Sequence, residues 1–254
     1  MVQPVAPQGV GQTAIAVAKF RAAETRRPNR LFADPLAEQF VAAAPPIRRG
    51  SGGGWRALLR YFRPGNLAHY RTMPHFIAVR TRFFDDFVRA AAQDCDQVVI
   101  LAAGLDTRAF RLDLPAGVRV FEIDLPEVLA FKEDVVARHG AQPRAERTPV
   151  PADLRDDWPA ALIDAGFQPD RPTAWTAEGL LVYLTEADCE QLIERIGKLS
   201  APGSRLALGH QDRSTVARQK ANPMAGAAQA LYQSGLSQRP DVWLDGHGWQ
   251  TRAR

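Results

Sequence analysis

Acidic residues and one glycine follow successive short apolar runs in the second half of the chain. Gly104 comes shortly after the run 98–101, and Asp124 directly follows the run 118–123. A glycine after a strand lets the backbone turn so that a ligand can approach the next helix at its N-terminus. An acidic residue about twenty positions further on can accept hydrogen bonds from ribose hydroxyls. This spacing indicates an adenosine-containing ligand.

Two later runs, 147–150 and 173–177, end in the same way. Asp153 supplies a carboxylate for the exocyclic amine of adenine, Leu154 supplies an apolar neighbour for the ring, and Glu178 follows the next run. Each residue alone is weak evidence, because a glycine after a strand is often only a turn and a strand-end carboxylate is often only solvated. Four consecutive strand ends that all carry such residues favour a binding site.

The pattern that positions these residues is an alternation of strands and helices. Apolar or alternating runs bounded by turn residues predict strands at 98–101, 118–123, 147–150, 173–177 and 205–208. Helical patterns lie between them at about 127–139, 157–165 and 186–199, the last after a capping-box-like Thr185–Asp188. The alternation predicts a parallel, doubly wound α/β sheet that binds ligands beyond the carboxyl ends of its strands.

The first 92 residues precede every predicted strand and are helical in pattern. Two helices are predicted over 11–43, the second capped by Asp34 with Pro35 at its first position, and a longer one from Pro74 to Ala92. Between them, the glycine-rich run 50–54 predicts a flexible connection, and an apolar stripe over 55–62 predicts a helix that ends at Pro64–Gly65. We predict one structural unit with an N-terminal helical cap over 1–92 and an α/β domain over 93–254.

Composition excludes several classes of function. The 254 residues contain no uncharged apolar run of about eighteen residues, and the N-terminus lacks the pattern of a secretion signal, so we expect a cytoplasmic protein without membrane contact. The formal net charge of +4 comes mostly from arginine, and only 48–63 concentrates it with aromatic residues, so no nucleic-acid partner is expected. The two cysteines and five histidines have no metal-ligand spacing, so no metal is expected.

Several segments together resemble the leucine carboxyl methyltransferase-like family, which includes bacterial S-adenosylmethionine-dependent methyltransferases and polyketide carboxyl O-methyltransferases. The resemblance covers about residues 11–249. Its most specific segments are AGLDTRAFR at 103–111, FEIDLP at 121–126, EGLLVYL at 178–184 and RTRFFD at 80–85, with VAKFRAAE at 17–24 and DPLA at 34–37 matching the opening helices.

The resemblance implies a Rossmann-like class I methyltransferase sheet with an N-terminal helical lid. It implies S-adenosyl-L-methionine as cofactor and O-methylation of a carboxylate, or a hydroxyl, of a small molecule such as a secondary metabolite. Arg80 would then meet the methionyl carboxylate, and Glu178 would lie beside the methionyl group. The other cofactor-binding residues implied are Ala103 and Gly104 in the turn, Asp124 and Leu125 at the ribose, and Asp153 and Leu154 at adenine.

Two departures from the family pattern matter. Ala102 stands where the family usually has glycine, so Gly104 alone remains of the usual pair. After its fifth strand the family fold adds two more, whereas the residues that end at Arg254 leave room for only one. The C-terminal strand pair is therefore expected to be incomplete: either the sequence is truncated, or the sheet ends with an unpaired edge. Such an edge tends to seek a partner, for example in a homo-oligomer.

Methyl transfer to a carboxylate needs no general base, because a carboxylate is ionised at neutral pH. For a phenol or alcohol acceptor a base would help, and His210, after the last predicted strand, is the best-placed histidine. Packing under the lid is the other interpretation of His210. Tyr183 either contacts the acceptor or packs in the core. Arg82 and Arg108 either hold an anionic substrate or form structural ion pairs.

Two other functions share parts of this pattern. A nicotinamide-dependent oxidoreductase also has a glycine turn and an acidic strand end, but G-x-G-x-x-G is missing, and no lysine stands four residues after Tyr183. A non-catalytic cofactor-binding protein would account for Ala102 and the short C-terminus. The cofactor that raises the melting temperature distinguishes the first alternative, and binding without methyl transfer would identify the second.

Overall fold

The structure is a computed structural model that describes residues 10–44, 64–221, 231–233 and 235–251. Its elements in chain order are α1 (Val10–Thr25), α2 (Pro35–Ala43), α3 (Pro64–Ala91), β1 (Gln97–Leu101), α4 (Arg108–Arg111), β2 (Arg119–Asp124), α5 (Pro126–Arg138), β3 (Glu146–Pro151), α6 (Trp158–Asp164), β4 (Thr173–Ala177), a 3₁₀ helix (Leu181–Tyr183), α7 (Glu186–Lys198), β5 (Arg205–Leu208), α8 (Arg213–Ala221) and α9 (Pro240–Gly246). The predicted connection at 50–54, the apolar stripe at 55–62 and the arginine-rich stretch 48–63 lie outside the described residues.

The five strands form one parallel sheet in the order β3-β2-β1-β4-β5. The chain winds outward from β1 to β2 and β3, then returns to the other side of β1 for β4 and β5. The connections after β1 and β4 therefore leave in opposite directions, and this reversal opens a crevice at the carboxyl ends of both strands. The predicted doubly wound α/β fold is confirmed, and each predicted strand agrees to within one residue at either end.

Helices cover both faces of the sheet, which explains why its central strands are continuously buried. Every residue of β1 and of β4 is buried. On one face, Trp158 of α6 and Trp175 of β4 pack edge to face with ring centroids 6.3 Å apart. On the other face, Val88 of α3 packs in a cluster with Ile100 of β1. The sheet is thus a rigid layer that fixes the positions of its strand ends.

The first two helices pack beside the sheet, against α5. Ala18 of α1, Phe40 of α2 and Phe131 of α5 belong to one buried cluster, which also contains Leu105 from the turn after β1. The predicted cap of α2 is confirmed: the Asp34 carboxylate accepts a hydrogen bond from the Ala37 N–H at 3.1 Å. The N-terminal helices are therefore attached directly to the glycine turn.

The predicted start of a helix near Pro74 is wrong, whereas the helix predicted to end at Pro64–Gly65 lies outside the described residues. A single helix, α3, begins at Pro64 and contains Pro74 in its interior. An interior proline costs roughly 3 kcal/mol, because it lacks the N–H that the helix requires. Further along, α3 buries Ile77, Phe84 and Val88. Burial of such side chains contributes about 1.5–3 kcal/mol each, enough to offset the proline.

Beyond β5, the described residues add no strand to the sheet. Asp212 and Leu236 form a single isolated bridge, and α8 and α9 are helical. β5 is therefore the edge strand on its side of the sheet. Within the same described ranges, no helix has both the length and the apolar character needed to cross a bilayer.

Candidate functional site

A cavity of about 170 Å³ lies at the carboxyl ends of β1 and β4. Its walls come from α1, α3, the turn after β1, the end of β2 and the segment after β4. The predicted site residues that line it are Arg80, Ala103, Gly104, Asp124, Glu178 and Tyr183. The reversal of winding thus brings together residues that are far apart in sequence.

Four predicted residues do not line this cavity: Leu125, Asp153, Leu154 and His210. Asp153 pairs with Arg155 at 2.5 Å, and this hydrogen bond lowers the pKa of Asp153 below its usual value. Leu154 packs against the core, and His210 is exposed. For Asp153, Leu154 and His210 the reason is topological, because β3 and β5 are the edge strands and their ends lie further from the crevice. The described residues contain no group of His, Cys, Asp or Glu able to hold a metal ion.

The turn after β1 has two residues with left-handed backbone conformation, Ala102 with φ of 51° and Gly104 with φ of 52°. A Cβ on Gly104 would lie 3.2 Å from the Cβ of Ala14 in α1, so this close approach requires glycine. At position 102, the conformation favours glycine as well. This left-handed conformation explains why the family usually has glycine at this position. In the present chain, Ala102 adopts it with backbone strain.

Replacing Ala102 with glycine should relieve that strain. A left-handed backbone conformation costs a residue with a Cβ roughly 1–2 kcal/mol in the folded state. Glycine removes this cost, but it also stabilises the unfolded chain by about 0.4–1 kcal/mol through its greater conformational entropy. We expect Ala102→Gly to raise the free energy of unfolding by up to about 1 kcal/mol. Ala103→Gly is the matched control, since Ala103 is buried and lacks a positive φ, so it should lose about 1 kcal/mol. Urea unfolding measures the free energy of unfolding of both variants. A lower value for Ala102→Gly than for the unaltered protein would contradict backbone strain at Ala102.

Arg108 is a buried junction between three parts of the chain. Its guanidinium donates to Asp85 of α3 at 2.9 Å, to Asp106 at 2.5 Å and to Glu178 at 2.7 Å. Burial alone would lower the pKa of Arg108, but these carboxylates outweigh it and raise the pKa above its ordinary value. Of the two interpretations of Arg108, the structural ion pair is the one observed. Arg82 pairs with Asp86 on the exposed side of α3.

Glu178 also binds Arg80, whose Nε donates to Oε1 at 2.7 Å. Burial would raise the pKa of Glu178, but Arg108 and Arg80 together lower it below its usual value. The guanidinium of Arg80 also lies against Gly179, where an added Cβ would be 3.2 Å from Nη1. Within the described ranges, no hydrogen bond uses Nη1 or Nη2 of Arg80. Arg80 is thus held in place along one edge, and its two outer nitrogens remain available to an anion.

Gly179→Ala should disturb Arg80 selectively. The new methyl group would crowd Nη1, and alanine would take a φ of 69°. Gly117→Ala is the matched control, because it carries the same kind of strain at a φ of 85° with no atom within 4 Å. Both variants should lose roughly 1–2 kcal/mol of stability. Only Gly179→Ala should weaken binding of S-adenosylhomocysteine in calorimetric titration, by on the order of tenfold. Equal affinities of the Gly179→Ala and Gly117→Ala variants for S-adenosylhomocysteine would contradict a role of Arg80 in binding it.

Asp124 connects the end of β2 to the turn after β1. Its Oδ2 accepts from the Gly104 N–H at 2.5 Å, and its Oδ1 accepts from the Leu125 N–H at 2.7 Å. Burial raises the pKa of Asp124 above its usual value, and the two N–H donors oppose this rise without cancelling it. The part that Leu125 plays here is through its backbone, since its side chain lies outside the cavity.

Sequence reasoning missed the residues of α1 that close the site. Arg21 pairs with buried Asp34 at 2.8 Å and also donates to the Leu105 carbonyl, while the Thr107 hydroxyl donates to Asp34 at 2.8 Å. A signal was present: Arg21 falls on the apolar stripe that includes Ala14, where a charge indicates a buried partner.

Tyr183 is the second contact between α1 and the site. Its hydroxyl hydrogen-bonds the Thr13 side chain, and burial raises the pKa of Tyr183 above its ordinary value. Its ring meets the ring of Tyr232 at 5.4 Å in a T-shaped arrangement. The phenol therefore stays protonated at neutral pH and offers a hydroxyl rather than a base.

Comparison with known proteins agrees with this geometry. The family model for leucine carboxyl methyltransferase matches residues 14–197. Two bacterial relatives carry the name "putative S-adenosyl-L-methionine-dependent methyltransferase". The one from Parafrankia sp. (strain EAN1pec) is 48% identical, covering 96% of this chain and 78% of its own, and the one from Rhodococcus jostii (strain RHA1) is 46% identical, covering 96% and 83%.

A solved structure supports the fold. The crystal structure of a candidate methyltransferase from Thermobifida fusca YX aligns with a TM-score of 0.52 over 91% of this chain and 79% of its own, at 17% identity. At that identity the likeness concerns the fold alone.

Proposed function

Since the chain belongs to the leucine carboxyl methyltransferase family, we propose that this S-adenosyl-L-methionine-dependent methyltransferase methylates a carboxylate oxygen of a small molecule. The cofactor follows from the family and its relatives. The carboxylate, and the description of the acceptor as a small molecule such as a secondary metabolite, are what we add. The support for both lies in the side chains around the cavity.

The cavity residues fit the cofactor. The outer nitrogens of Arg80 suit the methionyl carboxylate, and Glu178 suits a place beside the methionyl group. Next to Arg80, the Thr81 hydroxyl is buried at the cavity with no hydrogen-bond partner among the described residues. An unpartnered buried hydroxyl costs about 1–3 kcal/mol, so it favours a polar ligand group here. Gly104 gives close access to the backbone, and Asp124 offers carboxylate oxygens to the ribose.

The order of the strands supports the same orientation. Asp124 follows β2, Gly104 follows β1 and Glu178 follows β4, so ribose, turn and methionyl group would lie in sequence along the sheet edge. β3 is next to β2, where the Ala152 N–H donates to the Asp124 carbonyl at 3.0 Å. The adenine assignment of Asp153 and Leu154 lies at this end and remains a prediction.

When bound, S-adenosyl-L-methionine would supply a methyl group on its sulfonium. The acceptor oxygen would bond to the methyl carbon in line with the breaking carbon–sulfur bond, and S-adenosylhomocysteine would leave. The task of the protein is then to align the two groups and to exclude water. We assign the second task to the N-terminal helices, because α1 covers the cavity through Thr13, Ala14 and Val17. This supports the division into a helical lid and an α/β domain within one structural unit.

The observation that carries the carboxylate acceptor is the pairing of the acidic cavity side chains with arginines. Arginines hold Glu178 and Asp106 ionised with lowered pKa values, and Tyr183 has a raised pKa. Asp124 accepts two backbone hydrogen bonds and, with the cofactor bound, would also accept from the ribose hydroxyls, and His210 lies outside the cavity. Among the described residues, the site therefore offers no free base at neutral pH. A carboxylate acceptor needs none, whereas an alcohol needs one.

The raised pKa of Asp124 predicts a pH dependence for cofactor binding. Ribose hydroxyls donate best to the ionised carboxylate, so binding favours loss of the proton. Affinity for S-adenosylhomocysteine should therefore rise with pH through the pKa of Asp124 and level off above it. In Asp124→Asn this rise should vanish, and the affinity at neutral pH should fall by on the order of tenfold. Calorimetric titrations from acidic to neutral pH measure both, and parallel pH profiles would contradict the ribose assignment.

Methyl transfer itself is tested with cofactor labelled in the methyl group. The protein is incubated with pairs of small molecules that differ only in a carboxylate or a hydroxyl at the same position. We expect label in base-labile methyl esters and none in methyl ethers. Label only in ethers would overturn the carboxylate proposal, and cofactor binding without transfer to either would favour a non-catalytic protein.

A further inference from the structure

The orientation of the cofactor, which rests on the proposed function, fixes where the acceptor approaches. With the ribose at Asp124 after β2 and the methionyl group at Glu178 after β4, the methyl-bearing end of the cofactor would lie on the β4 side of the cavity. The acceptor must then approach from the segments after β4 and β5. These segments carry an aromatic pair that the cofactor does not use.

The pair consists of Tyr183 and Tyr232. Tyr183 lines the cavity from the 3₁₀ helix after β4. The ring of Tyr232 meets it at 5.4 Å with an interplanar angle of 74°. Both side chains are partly exposed, so the pair is covered incompletely by the described residues. Apolar ring surface therefore continues from the cavity wall outward.

The backbone around Tyr232 is held from two sides. On one side, the Gln233 N–H donates to the Val182 carbonyl at 2.7 Å, beside Tyr183. On the other side, the Leu236 N–H donates to the Gln211 carbonyl at 3.3 Å, and a Cβ on Gly235 would be only 2.5 Å from that oxygen. Glycine at 235 thus permits this segment to approach the chain that follows β5, and the contact holds the backbone near Tyr232 in place.

A third aromatic ring, that of Phe76, lies near the guanidinium of Arg80. Phe76 lies one turn before Arg80 in α3, with its ring centroid 5.8 Å from the guanidinium carbon and 53% of the residue exposed. Burial raises the pKa of Tyr232 and the charge of Arg80 opposes that rise, so Arg80 also acts on the tyrosine pair. Arg80 therefore lies between the ring of Phe76, which is outside the cavity lining, and the tyrosine pair.

We propose that Tyr183 and Tyr232 form the wall of the acceptor subsite and that the acceptor carries a planar aromatic body beside its carboxylate. An aromatic ring gains from such a wall beyond the burial of its area, because the rings align edge to face or offset. The gain corresponds to roughly a twofold to tenfold difference in affinity. A saturated body of the same size has no such gain.

The test uses 2-naphthoate and its saturated counterpart decahydro-2-naphthoate, which share the carboxylate and the two-ring outline. Binding of each is measured by calorimetry on the full chain saturated with S-adenosylhomocysteine. We expect naphthoate to bind several-fold more tightly, Tyr232→Leu to remove the difference, and Tyr232→Phe to retain it. Cofactor affinity should remain unchanged in both variants.

Each other outcome has a distinct meaning. Absence of S-adenosylhomocysteine binding to the unaltered protein would overturn the proposed function. With the cofactor bound, equal affinity for the two acids, or binding of neither, would overturn the aromatic subsite alone. A preference that persists in Tyr232→Leu, or loss of cofactor binding in that variant, would remove Tyr232 from the subsite.

Discussion

The buried guanidinium of Arg108 is the constraint on which the arrangement of the site depends. It binds Asp85 of α3, Asp106 of the turn after β1 and Glu178 after β4, so one planar group fixes three segments. Loss of one partner of such a buried pair costs about 3–5 kcal/mol, because the other charge remains without compensation. Arg111 adds two hydrogen bonds to Asp85. Glu178 is consequently ionised and oriented before any ligand binds, and through it Arg80 is oriented as well.

A second buried ion pair joins the first two helices to the same turn. Asp34 caps α2, pairs with Arg21 of α1 and accepts from Thr107 at the start of α4. The carboxylate is fully buried, so these donors are what make its burial tolerable. Movement of α1 away from the turn would expose or separate this pair. The position of α1 and the conformation of the turn are therefore coupled, since Ala14 also lies against Gly104.

The sequence was most informative about the centre of the sheet. Parallel strands covered on both faces leave a strong apolar pattern, and the reversal of winding brings their ends together, so Gly104, Asp124 and Glu178 could be assigned to one cavity. The strand-end rule was less informative at the edges, as His210 shows. Whether an arginine binds ligand or carboxylate depends on distances across the fold, and for Arg108 no local pattern contains that information. Pro74 is a second example: the local sequence predicts a helix start there, but the packing of α3 as a whole outweighs that signal.

The charges around the cavity also limit the chemistry that the protein can perform. Of the three acids that line the cavity, Asp106 and Glu178 are paired with arginines, and this pairing lowers their pKa values and makes them weak bases. The same pairing fixes side chains in position, which is what a displacement reaction requires of its catalyst. In the proposed function, a site built in this way would gain rate from alignment and would lack a group that removes a proton from the acceptor. A carboxylate acceptor is already ionised at neutral pH, so its methylation would not require a base.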